Sequence, residues 1–87
     1  MNTFAELQLR TVRSLLRNDR HRTATSAARL IASSIRNGSD TLAPLIGEAI
    51  ERMEAIVSRA AYRPRNSAMR ALAGLRLAER ALEELRR

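Results

Sequence analysis

Arg10-Thr11-Val12-Arg13-Ser14-Leu15-Leu16-Arg17-Asn18-Asp19-Arg20-His21-Arg22 is the stretch on which the layout of the chain turns. Arg10, Arg13, Arg17 and Arg20 stand at i, i+3, i+7 and i+10, a spacing that stacks their guanidinium groups on one face of a 3.6-residue helix. Leu9, Val12 and Leu16 repeat at i, i+3 and i+7 and share the opposite side with Leu15. The stretch predicts a helix with a cationic rail backed by an apolar seam. It contains no Gly or Pro, so the helix is expected to run straight through it, although Asn18, Asp19 and Thr23 are residues that can stop a helix and recap the next.

Working outward, Thr3-Phe4-Ala5-Glu6 has the pattern of a capping box, which starts helix one near Phe4. Past the stretch, Ala24, Ala27, Ala28, Ile31, Ser34 and Ile35 mark an inner face of small residues with Leu30 beside them. Asn37-Gly38 is a stop of the left-handed-cap kind. The first helix is thus expected over about 4–36, roughly 50 Å at 1.5 Å per residue, with 18–23 as the place where it would break. A second helix is expected over 41–62, capped by Ser39, Asp40 or Thr41 and carrying Pro44 in its first turn, where a missing amide costs little. Its apolar positions are Leu42, Ile46, Ala49, Ile50, Met53, Ile56, Val57, Ala60 and Ala61, and Arg52, Arg59 and Arg63 form a shorter rail at i, i+7 and i+11. Pro64 is expected to break the chain, and Asn66 or Ser67 to cap a last helix over 67–86. There Ala71, Leu75, Ala78, Leu82 and Leu85 follow heptad spacing.

Every element reads as helix, so the fold class is all-α. The chain has 87 residues and only Phe4 and Tyr62 as aromatics, which leaves a small aliphatic core in a single domain. The expected architecture is a small antiparallel helical bundle completed by homodimerisation, because the last helix is too short of large residues to cover the stripe of Leu42, Ile46, Ile50, Met53 and Val57. No apolar run approaches the roughly 20 residues of a membrane span, and no signal-peptide segment opens the chain. With no cysteine, a disulfide framework and a thiolate metal site are excluded, and a cytoplasmic protein is expected.

Sixteen arginines and no lysine stand against nine acidic residues, giving a net charge of +7. Clustered arginine is the electrostatic footprint of a polyanionic partner, and its planar fork holds phosphate bidentately where lysine acts as a point charge. A GC-rich genome, an overlapping reading frame or evasion of ubiquitination also removes lysine, and the sequence does not separate these causes. No catalytic chemistry is legible and no cofactor or metal is called for. His21 is isolated among arginines, the three glycines are scattered, and Glu48, Glu51 and Glu54 lack histidine or aspartate partners for a metal. The chain reads as a binder and not an enzyme. Without a zinc site, a helix-turn-helix turn or aromatic platforms for single-stranded bases, arginines and small hydroxyl residues on helices suit the backbone of double-stranded RNA, read by shape. The candidate contacts are Arg10, Arg13, Arg17, Arg20, Arg52, Arg59, Arg63, Arg65 and Ser67. An acidic protein surface is the alternative partner, as for a small phage or bacterial regulator or inhibitor.

The segment Ala61-Tyr62-Arg63-Pro64-Arg65-Asn66-Ser67 resembles the core of the small all-helical RNA-silencing suppressors of insect nodaviruses. In that family an Arg is followed three and four residues later by Thr or Asn and then Ser. The order of a first helix, a short turn at Gly38-Ser39-Asp40 and a second helix ending in the motif is also similar. The resemblance implies an antiparallel homodimer forming a four-helix bundle whose flat face binds duplex RNA and blocks Dicer. By it Arg63 is the phosphate-contacting arginine and Ser67 a hydroxyl contact. Pro64 departs from the family pattern, in which the helix continues through this point, and Glu48 and Glu51 place negative charge near the expected face.

Overall fold

The computed structural model describes residues 3–87. It has four α-helices: α1 (Thr3–Leu16), α2 (His21–Arg36), α3 (Ile46–Arg59) and α4 (Tyr62–Leu85), with a 3₁₀ turn over Ala43–Leu45 leading into α3. No strand forms among the described residues. The residue before Thr3, where a cap for α1 would stand, lies outside the described residues.

The expected single helix over 4–36 is not what the chain adopts. α1 ends at Leu16, and the Asn18 side-chain oxygen accepts the Arg20 amide at 2.8 Å, closing a turn within the short connection to α2. Arg52 of α3 donates its Nη2 to the Asn18 carbonyl at 3.0 Å and holds that turn from outside. Asn18 therefore supplies locally the break that Gly or Pro would usually signal. The gain is tertiary. A straight rod would carry Val12 and Leu16 away from the other helices, whereas the bend leaves them 3 % and 2 % exposed, and burying such a side chain is worth about 1.5–3 kcal/mol.

The stop at the end of α2 follows the sequence pattern. Gly38 adopts φ 90°, the Gly38 amide bonds the Ile35 carbonyl, and the Ser39 amide bonds Ser34, both at 3.0 Å. These are the paired bonds of a Schellman motif, and the left-handed residue inside it favours glycine. α3 starts at Ile46, later than the expected 41, because Pro44 sits in the 3₁₀ turn. Leu42 and Leu45 on either side of that proline are fully buried and pin the turn to the core.

At residues 60–67 the structure also differs from expectation. α3 stops at Arg59 and α4 begins at Tyr62, not 67. Pro64 occupies the third helical position of α4, where the amide it lacks would have no intrahelical partner. It is a start signal here, not a break. Arg65 reaches back to donate to the Ala60 carbonyl at 3.2 Å, tying the end of α3 to the start of α4.

The core is built by the inner faces of α2, α3 and α4, with Leu16, Ile31, Ile35, Leu42, Leu45, Met53 and Leu75 its largest fully buried side chains. The start of α2 lies beside the end of α3, where Asp19 and His21 line one cleft with Arg52 and Arg59. α2 and α4 run in the same direction: Arg29 meets Ser67, and further along both helices Ala32 meets Gly74. α1 packs on α2 and α3 and buries only Val12 and Leu16. The stripe expected to need a second copy is covered within one chain. Leu42 and Met53 are fully buried, Ile46 is 9 % exposed, and Ile50 and Val57 pack against the core. Leu85, placed in the seam by its spacing, is instead 68 % exposed at the end of α4.

Candidate nucleic-acid interface

The arginine rail of the first helix is divided by the bend. Arg20 leaves α1 altogether and stands in the N-cap position of α2. Arg13 Nε lies 3.4 Å from Glu48 Oε2, and Arg17 Nη2 lies 3.9 Å from Glu48 Oε1. Both atoms of the closer contact are buried yet lack hydrogen-bond geometry, so this is a charge contact between half-exposed side chains, worth roughly 0–1 kcal/mol. Glu51 and Arg52 line the same surface cleft beside Leu16 and Arg17. The α1–α3 face is thus a mixed-charge seam. Arg10, nearer the start of α1, is exposed and has no carboxylate partner among the described residues.

The second group of predicted contacts is also partly committed to the fold. Arg52 holds the Asn18 carbonyl, and Arg65 holds the Ala60 carbonyl. Ser67 accepts a hydrogen bond from Arg29 Nη2 at 3.2 Å. Arg59 ends α3 in a small cleft of about 210 Å³ shared with Asp19 and His21. Arg63 is exposed in the first turn of α4. Structure therefore separates the predicted set into arginines that brace turns or meet glutamate and arginines that face solvent.

A further arginine cluster was not singled out from the sequence. Between α2 and α4 lies a concavity of about 510 Å³ lined by Arg29, Arg36 and Arg70 over a floor that includes Ala32 and Gly74. A Cβ at Gly74 would meet the Ala32 Cβ at 3.9 Å, so the two helices pack closely there. The signal was present as seven-residue spacing in Arg22, Arg29 and Arg36, and again in Arg63 and Arg70. What the spacing does not carry is that α2 and α4 lie side by side in the same direction.

The segment Ala61–Ser67 opens α4 in this chain, whereas in the nodaviral suppressors it lies within a long second helix. No protein-family model, curated protein or solved structure gives a significant match to this chain.

Proposed function

We propose that this protein is a non-catalytic binder of double-stranded RNA that grips the phosphate backbone without reading sequence, in the manner of a cytoplasmic viral suppressor of RNA silencing. The observation that carries the reading is the state of the arginines. In a chain of net charge +7, only Arg13 and Arg17 meet a carboxylate among the described residues, and both meet Glu48. No other guanidinium group lies within ion-pair distance of a carboxylate among the described residues, and the helices that carry them present two isolated aromatic rings, Phe4 and Tyr62, both exposed. These are the only Phe, Tyr or Trp residues of the chain, one on α1 and one at the start of α4, and two single rings do not make the row of stacking faces that splayed bases need. Such a surface favours a regular polyanion over splayed single-stranded bases.

Homodimerisation belongs to the same proposal. The face available to a second copy is the apolar side of α1, where Phe4, Leu7 and Leu15 join Leu30 of α2 around a cleft lined without any charged residue. These side chains are 73, 58, 40 and 47 % exposed. A gel shift with duplex RNA, duplex DNA and single-stranded RNA tests the function. Retardation of the RNA duplex at low salt, lost steeply as salt rises, is the expected result. Failure to retard any duplex overturns the reading and leaves docking to an acidic protein surface in its place.

A further inference from the structure

We infer that the groove between α2 and α4 is the seat of one phosphodiester strand of the bound duplex, and that the more conspicuous arginine rail of α1 is not. The inference rests on the duplex-binding reading above and assigns it to a site.

Three features of the groove carry it. First, its charge is of one sign. Arg29, Arg36 and Arg70 line it, and no carboxylate does, while the α1–α3 cleft sets Glu48 and Glu51 beside Arg17 and Arg52. A phosphate approaching α1 meets glutamates already competing for the guanidinium groups, and one approaching the α2–α4 groove does not. Second, the arginines are in register along the groove. Arg29 and Arg36 stand seven residues apart on α2, and Arg70 faces the same groove from α4. Seven residues return a side chain to almost the same helix face about 10.5 Å further along. Because α2 and α4 run in the same direction, Arg29 and Arg36 on one wall and Arg70 on the other flank one linear track. Third, most of the lining is small. Ala32, Ser33, Ala71, Ala73 and Gly74 lie between the arginines, Leu77 is the one large apolar side chain, and no aromatic face for a base lines the groove, so it suits an extended backbone. The Arg29 guanidinium is already oriented by its bond to Ser67, which lowers the ordering cost of engaging phosphate. The hydroxyls of Ser33 and Ser67 stand beside it as partners for the 2′-hydroxyl that distinguishes RNA.

The test compares two variants that each remove three positive charges. Arg29→Gln/Arg36→Gln/Arg70→Gln empties the groove, and Arg10→Gln/Arg13→Gln/Arg17→Gln empties the α1 rail. Fluorescence anisotropy with a labelled RNA duplex over a salt series is expected to show the groove variant at least about tenfold weaker, with a log–log salt slope shallower by about 2–3. The α1 variant is expected to stay within about threefold of the parent. A groove variant that binds like the parent, or an α1 variant that loses as much, overturns the assignment while leaving duplex binding in place. A parent that binds no RNA duplex overturns the function itself, so the two failures are distinguishable. Circular dichroism confirms folding. Should the triple groove variant fail to fold, Arg36→Gln/Arg70→Gln, whose side chains make no hydrogen bond or ion pair among the described residues, is expected to show the same direction of change, and parent-like binding by it overturns the assignment.

Discussion

Thr25 offers the sharpest check on the packing described here. It lies on α2, is 3 % exposed, and its Oγ1 has no hydrogen-bond partner among the described residues. Its neighbours on that side of the helix, Ala28 and Ala32, are buried as well. An unpaired hydroxyl taken from water into such a site costs about 1–3 kcal/mol on mutational scales. Valine keeps the β-branched shape and the stiff χ1 of threonine in a helix, and replaces the hydroxyl by a methyl. Thr25→Val is therefore expected to stabilise the fold by about 1 kcal/mol, since part of the penalty is offset by imperfect fit of the methyl. For a domain of this size that raises Tm by about 4–8 °C. Thermal melts and urea titration followed by circular dichroism measure it, with the urea m-value expected to stay constant because the surface exposed on unfolding is the same. Thr25→Ser is the mirror experiment: it keeps the hydroxyl, loses the methyl, and is expected to destabilise by about 1 kcal/mol. A Thr25→Val protein that melts at or below the parent, together with a neutral Thr25→Ser, would refute the reasoning. It would mean that the hydroxyl finds a partner such as the backbone carbonyl one turn earlier.

Met53→Asp is expected to unfold the protein, because the side chain is fully buried and an unpaired charge there costs several kcal/mol against a total stability of about 5–15 kcal/mol; a parent-like melt would show that α3 is rotated. Gly74→Ala is expected to gain about 0.5–1 kcal/mol in the same assay, since a methyl meets Ala32 at ordinary contact distance and glycine is costly inside a helix. Glu48→Gln releases Arg13 and Arg17 and is expected to tighten RNA-duplex binding a few-fold while changing stability by no more than about 1 kcal/mol. Unchanged or weaker binding by that variant would mean that Glu48 does not compete with phosphate. Leu7→Glu, on the exposed apolar face of α1, is expected to reduce the sedimentation mass of the protein from two chains to one, and a parent that already sediments as one chain removes the dimer from the proposal.

Much of the fold was legible residue by residue. The periodicity of Ala49, Met53 and Ile56 on α3, and of Ala71, Leu75, Ala78 and Leu82 on α4, named side chains that are buried. Asn37-Gly38 named a stop whose amide bonds follow from a left-handed glycine. The misreadings at residues 18 and 64 share one cause. Asn18 and Pro64 each have two local meanings, stop or continuation for one and break or first turn for the other, and only the neighbouring helix selects between them. Arg52 selects the turn at Asn18, and Arg65 anchors the start of α4 on Ala60.

The sequence by itself determined that the chain is helical, which faces turn inward, and that the surface is strongly basic. Those properties depend on a 3.6-residue repeat and on composition, both of which are local or additive. Tertiary structure decided which arginines remain without an opposing charge. Coulomb interactions act across space with no regard to chain order, so the i, i+3, i+7 row on α1 lost its advantage when the bend carried Arg13 and Arg17 to Glu48. Arg29, Arg36 and Arg70, inconspicuous along the chain, were brought to one groove by the parallel packing of α2 and α4.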